Sequence, residues 1–123
     1  MKKKISIIDV LFKEIEKEVV LTVEDGFSII DLKPMGQMLV DSDHLSFIYI
    51  AEINDEYSYL TIPHSIWSQF KQALDLGSAV YLTDRIERIQ LPGFMEELRY
   101  LIENIKENSN YGEEMVAKVE STF

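Results

Sequence analysis

The sequence predicts an α+β fold, a mostly antiparallel sheet of hairpins with two to three helices packed on one face. Three observations carry that reading. Apolar residues alternate with polar ones through most of the first 62 positions, the period of strands. Two later segments repeat apolar residues at helical spacing. The strand-like runs mostly precede the helical ones, which is how α+β chains are ordered. With 123 residues and no linker, repeat or low-complexity tract, residues 1–123 are expected to form a single α+β domain.

Ile5 and Ile7, extended by Val10 and Phe12, alternate with Ser6 and Asp9 as in a half-buried strand, and 13–17 is a charged turn. Val19, Leu21 and Val23 make a second strand rich in β-branched residues. Asp25-Gly26 has the composition of a hairpin turn, because both residues tolerate positive φ. Residues 27–32 then read as a third strand, broken by Lys33-Pro34-Met35-Gly36. Leu45, Phe47, Tyr49 and Ala51 share one face of a fourth strand, with Ile48 and Ile50 on the other; two apolar faces predict a central position. Asn54-Asp55 turns the chain into a fifth strand of Tyr57, Tyr59 and Thr61 against Leu60 and Ile62.

Pro63 suits the first turn of a helix, where its missing N–H is not needed. Ile66, Phe70, Ala73 and Leu74 form one stripe over 63–76 with Trp67 beside it, and Gly77 can close the helix in the left-handed region. Val80-Tyr81-Leu82 and 86–91 predict another hairpin around Thr83-Asp84-Arg85, ended by Pro92-Gly93. Phe94, Leu98, Leu101, Ile102 and Ile105 hold a helix over 93–107. Asn110 and Glu113 have capping-box spacing for a last short helix.

Composition narrows function more by exclusion. Twenty-two acids against 12 basic residues give a formal charge of −10. Residues 24–64 hold eight acids and one lysine, Lys33, a net −7. No basic face is visible for nucleic acid, and an anionic membrane surface is disfavoured for the same reason. Cysteine is absent, which removes thiol nucleophiles, thiolate metal sites and disulfides and fits a reducing cytosol. The basic start, Met1 to Lys4, is followed by an apolar stretch that Asp9 and Lys13-Glu14 interrupt, unlike a signal peptide, and no apolar run is long enough for a bilayer. A cytoplasmic protein is expected.

No motif for a cofactor stands out, and none is expected. Asp41-Ser42-Asp43 begins like a calcium loop, but its fifth and sixth positions are Leu45 and Ser46, and the segment has strand periodicity. His64-Ser65 lies outside any nucleophile elbow. The candidate binding residues are Asp41, Asp43 and His64, with Trp67 beside the helical stripe and Asn108, Asn110 and Tyr111 at a helix junction. Asn side chains there also suit helix caps, and Asp and Ser suit turns.

Three blocks resemble a known family. Gly36-Gln37-Met38-Leu39-Val40-Asp41-Ser42-Asp43 with Leu45-Ser46-Phe47 is the first. Ile62-Pro63-His64 with Trp67 is the second. Glu103-Asn104-Ile105 with Asn110-Tyr111-Gly112-Glu113-Glu114 is the third. Their order and spacing resemble the YjbL-like uncharacterised protein family 0738, small bacterial proteins of unknown function. The resemblance covers residues 36–123, and the N-terminal third is only loosely similar. It implies a stand-alone intracellular protein of Gram-positive bacteria and supplies no catalytic residue. His44 departs from the Asn common at its position, which weakens a metal or general-base role there.

The favoured expectation is a small non-enzymatic binding or regulatory module whose acidic surface contacts a protein partner. The alternative is a small enzyme or metal-dependent ligand binder using Asp41, Asp43 and His64. The first needs an apolar patch with an acidic rim, the second a pocket where those three side chains converge.

Overall fold

The computed structural model describes residues 3–123, so Met1 and Lys2 of the basic start lie outside the described residues. Seven strands form one mixed sheet: β1 (Lys3–Lys13), β2 (Glu18–Val23), β3 (Lys33–Asp41), β4 (Ser46–Ile53), β5 (Glu56–Pro63), β6 (Ala79–Thr83) and β7 (Arg88–Gln90). Their order is β3-β4-β5-β1-β2-β6-β7. Every sequential hairpin is antiparallel, while β1 pairs β5 and β2 pairs β6 in parallel. The α+β expectation with a mostly antiparallel sheet holds.

β1 is shared between two halves of the sheet. Lys3 to Ser6 pair with β5, and from Ile7 onward the strand pairs with β2. A bulge between Ile7 and Asp9 marks the change of neighbour, as bulges do where a sheet bends. β4 lies between β3 and β5, as its two apolar faces predict. Asn54 and Asp55 both take positive φ, 51° and 64°, which gives the β4–β5 hairpin the twist of a type I′ turn.

The third strand is not where the alternation put it. Residues 27–32 form a crossing segment that carries the chain from β2 to β3 at the far edge of the sheet. The Leu32 N–H turns back to the Ile29 carbonyl at 3.0 Å, so Ile29 and Leu32 both plug the core without a strand between them. Asp25-Gly26 starts this crossing rather than a hairpin. The strand instead begins at Lys33 and runs through Pro34 and Gly36. Proline is tolerated because β3 is an edge strand, and Gly36, at φ 73°, absorbs a register shift between Pro34 and Met38. Leu45 is also outside its expected strand, in the β3–β4 turn at φ 46°.

A 3₁₀ helix (His64–Phe70) runs into α1 (Lys71–Asp75). The expected segment is helical, but its first seven residues are wound more tightly than an α-helix. Pro63 is the residue before the helix and the last of β5, not its first turn. α2 (Phe94–Ile105) follows its predicted stripe, and Gly93, at φ 75°, begins it. A 3₁₀ turn (Ser109–Tyr111) leads into α3 (Glu113–Thr122). The side-chain cap here is Asn108, which accepts from the Asn110 N–H; Gly112 precedes α3 with no side-chain cap.

The core lies between the helices and one sheet face. Phe47 packs on Trp67 with centroids 4.6 Å apart, and Phe94 stacks between Tyr49 at 5.8 Å and Phe70 at 5.6 Å. No helix of the described residues is long and apolar enough to cross a membrane.

Candidate functional site

β-strands send alternate side chains to opposite faces, so β4 offers Phe47, Tyr49 and Ala51 to the helices and Ile48 to the other side. On that other side Ile48 sits in one rung with Leu39 of β3 and Thr61 of β5, and Lys4 of β1 is level with Tyr59 of β5. These side chains line a groove of about 430 Å³ formed by Lys4, Leu39, Val40, Ile48, Tyr59 and the turn residues Asp41, Ser42 and Asp43. No helix contributes to it. Ile48 is only 6% exposed yet stands apart from the hydrophobic core cluster, so it forms a second, local apolar floor. Leu39 beside it is 40% exposed.

The acidic wall is built by the β3–β4 hairpin. Asp41 ends β3 opposite Ser46, and the chain turns tightly, with Leu45 N–H donating to Ser42 O at 3.3 Å. Asp41 Oδ2 lies 2.9 Å from His44 Nδ1, and its Oδ1 accepts from the His44 N–H at 3.3 Å. Asp41 is therefore a turn cap as well as part of the groove, while Asp43 is exposed. The opposite wall carries Lys4.

The remaining sequence candidates lie elsewhere. His64 sits at the same end of the sheet, its N–H donating to Leu45 O at 3.0 Å, but it leads into the 3₁₀ helix and is not in the groove. His64 does not line the groove that holds Asp41 and Asp43, and among the described residues no three His, Asp or Glu side chains are grouped to hold a metal. Trp67 is 0% exposed and donates its indole N–H to Ile62 O at 3.0 Å, a core position. Asn108 bridges Asn104 O at 3.2 Å and the Asn110 N–H at 3.1 Å, which makes the polar junction a cap, and Tyr111 packs half-buried against the core.

Lys4, Leu39, Ile48 and Tyr59 were not singled out from sequence as site residues. The signal was present in the doubled apolar face of β4. Read as burial alone, that pattern hides an apolar strip on a helix-free face.

Two other polar constellations organise backbone. The Tyr49 hydroxyl donates to Pro92 O at 2.7 Å and accepts from the Gly36 N–H at 3.2 Å, joining the β3 bulge to the turn before α2. Burial, with a contribution from the Glu97 charge, pushes its pKa up to about 12 against the lowering effect of the Gly36 bond. Asp84 accepts from the Ile29 N–H at 2.9 Å and from the N–H groups of Ile86 and Glu87 at 2.9 and 2.7 Å. Those backbone donors, Ile29 foremost, hold its carboxyl below the usual aspartate range.

Comparison with known proteins reaches nearly the whole chain. Residues 7–123 match the model of a family described as a family of unknown function, UPF0738. The UPF0738 protein YjbL of Bacillus subtilis strain 168 is 50% identical over 91 residues, covering 74% of this chain and 75% of the relative. A UPF0738 protein of Bacillus pumilus strain SAFR-032 is 42% identical over 123 residues, 100% of this chain and 99% of its own. One from Geobacillus sp. strain WCH70 is 38% identical over 123 residues, 100% and 98% respectively. No solved structure matches.

Proposed function

The chain belongs to the UPF0738 family, and we propose that it works as a non-enzymatic protein-binding module through the helix-free face of β3, β4, β5 and β1. The partner places apolar side chains over Leu39, Ile48 and Tyr59 and brings cations to Asp41 and Asp43. The observation that carries this reading is the groove over Ile48, an apolar floor separate from the core with an acidic hairpin along one wall. Apolar patches rimmed by charge on a water-facing surface are where protein partners dock. The charge supports the same direction, because Asp41 and Asp43 at the rim of this face favour a cationic group set locally against them. The cysteine-free, acidic composition suits a cytoplasmic site of action.

A photo-activated cross-linking residue in place of Leu39 tests it in cells. The expected result is a defined protein adduct that disappears in Asp41→Lys/Asp43→Lys while the variant keeps its melting transition. An adduct pattern indifferent to the charge reversal, or no adduct, overturns the proposal.

A further inference from the structure

We propose that the partner on this face is a second copy of the chain, paired about a two-fold axis lying in the groove. This rests on the binding reading above and names its occupant. A two-fold contact needs a surface complementary to itself. The groove has that property: Lys4 lies on β1 at one side, Asp41 and Asp43 on the β3–β4 hairpin at the other, and Leu39, Ile48 and Tyr59 between them. β3 and β1 are separated by β4 and β5, so the two charged walls stand on either side of the apolar strip. Turning a second copy over about an in-face axis, midway between the walls, sets each Lys4 against the other copy's Asp41 and Asp43. It also lays apolar strip on apolar strip. Both charge contacts form at once because the symmetry duplicates each one.

Size sets the strength. Four strands at about 4.8 Å spacing and about eight residues at about 3.3 Å rise give a face of roughly 500 Å² in projection. A standard specific interface takes roughly 800 Å² from each partner. The pairing is therefore a weak, concentration-dependent dimer in the micromolar range. Two chains of formal charge −10 also repel at long range. At about 0.15 M salt the Debye length of about 8 Å screens that repulsion and leaves direct contacts largely intact.

Sedimentation equilibrium of the full chain at this salt tests the pairing. Wild type should approach twice the 14.3 kDa chain mass as its concentration rises. Lys4→Glu alone, and Asp41→Lys/Asp43→Lys alone, each place like charges at both contacts. Each should weaken self-association about a hundredfold, from two contacts at about tenfold each. Mixing the two variants restores opposite charges at both contacts, and a mixed dimer should reappear. Leu39→Glu, which leaves the hairpin caps in place, should dissociate the wild-type pair and keeps the test intact if the double lysine variant loses its fold. Wild type that stays monomeric to roughly 0.5 mM, where a micromolar pairing would be saturated, overturns the inference. So do charge variants that self-associate as tightly as wild type, or a mixture that associates no more tightly than either variant alone. A monomeric wild type that still forms a Leu39 adduct with a different protein overturns the second-copy partner and leaves the binding reading standing.

Discussion

Single side chains here hold backbone segments that no regular hydrogen-bond ladder joins. Tyr49 is the clearest, since its hydroxyl satisfies both the Gly36 N–H and the Pro92 carbonyl. Tyr49→Phe keeps the ring stacked on Phe94 but leaves those two groups without their partner, at a cost of about 1–2 kcal/mol in denaturant unfolding. The alkaline limb reads the same residue. The folded phenol ionises only near about 12, above its ordinary 10.0. Its neutral form therefore contributes stability that is full below pH 10 and is lost as pH rises toward 12. The Phe variant should lack this part of the alkaline loss. Asp84 behaves oppositely. Its depressed carboxyl contributes stability that is full above the ordinary aspartate value of 3.8 and is lost as pH falls through the lower folded value. Asp84→Asn should melt below wild type at pH 7, and the gap should close in acid. Amide exchange at Ile29 should quicken in the same variant, because Asp84 is its acceptor. An unchanged gap at pH 2–3 would show that the carboxylate charge is not what holds the crossing segment.

Elements were legible where one period dominated. α2 was, because Phe94, Leu98, Ile102 and Ile105 keep α-helical spacing and all are buried. The segment after Pro63 carries two periods. Its α stripe begins at Ile66, which is only partly buried, whereas Trp67, Phe70 and Ala73, three apart, are fully buried. Side chains at i and i+3 align in a 3₁₀ helix, so the tighter winding puts Trp67 and Phe70 into the core, and Ala73 follows them on the first turn of α1. The third strand was misplaced because Pro34 and Gly36 read as a break, although at a sheet edge both are permitted. Gly36 also meets Gly93: a Cβ built on Gly93 would lie 3.4 Å from the Gly36 carbonyl oxygen. Gly93→Ala should cost about 1–2 kcal/mol for its positive φ, with the new Cβ set in van der Waals contact with the Gly36 carbonyl. Because Glu97 of α2 accepts from the Met38 N–H at 3.3 Å, exchange at Met38 should rise together with the lost stability. A variant that loses stability with Met38 exchange unchanged would separate the glycine contact from the docking of α2 on β3.

At the scale of the molecule, periodicity identified six of the seven strands but not their neighbours. The parallel pairing of β1 with β5 and of β2 with β6 joins residues far apart in sequence, and no turn residue announces it. The same limit applied to the site. Asp41 and Asp43 were legible as a sheet-end turn, but Lys4 reaches their groove only because β1 lies beside β5. Net charge, by contrast, is legible without the fold, and it decides the direction of a global measurement. The chain carries −10, and its described ion pairs are His44–Asp41, Arg85–Asp25 and Arg88–Glu18. The Arg85–Asp25 pair is exposed and the Arg88–Glu18 pair partly so, and such surface pairs contribute about 0–1 kcal/mol each. Salt weakens them only in part, because their atoms are in contact. The repulsion among the unpaired acids acts over longer distances, and it is cut strongly when the Debye length falls from about 30 Å at 0.01 M to about 8 Å at 0.15 M salt. Screening should relieve more repulsion than attraction, so the melting temperature should rise by a few degrees across that range. The melt is best followed at low micromolar protein, where pairing of copies contributes least, and repeated with Asp41→Lys/Asp43→Lys. That variant reduces the net charge by four, and its rise with salt should be smaller. A wild-type melting temperature that falls with salt would mean that the contact pairs outweigh the excess acids.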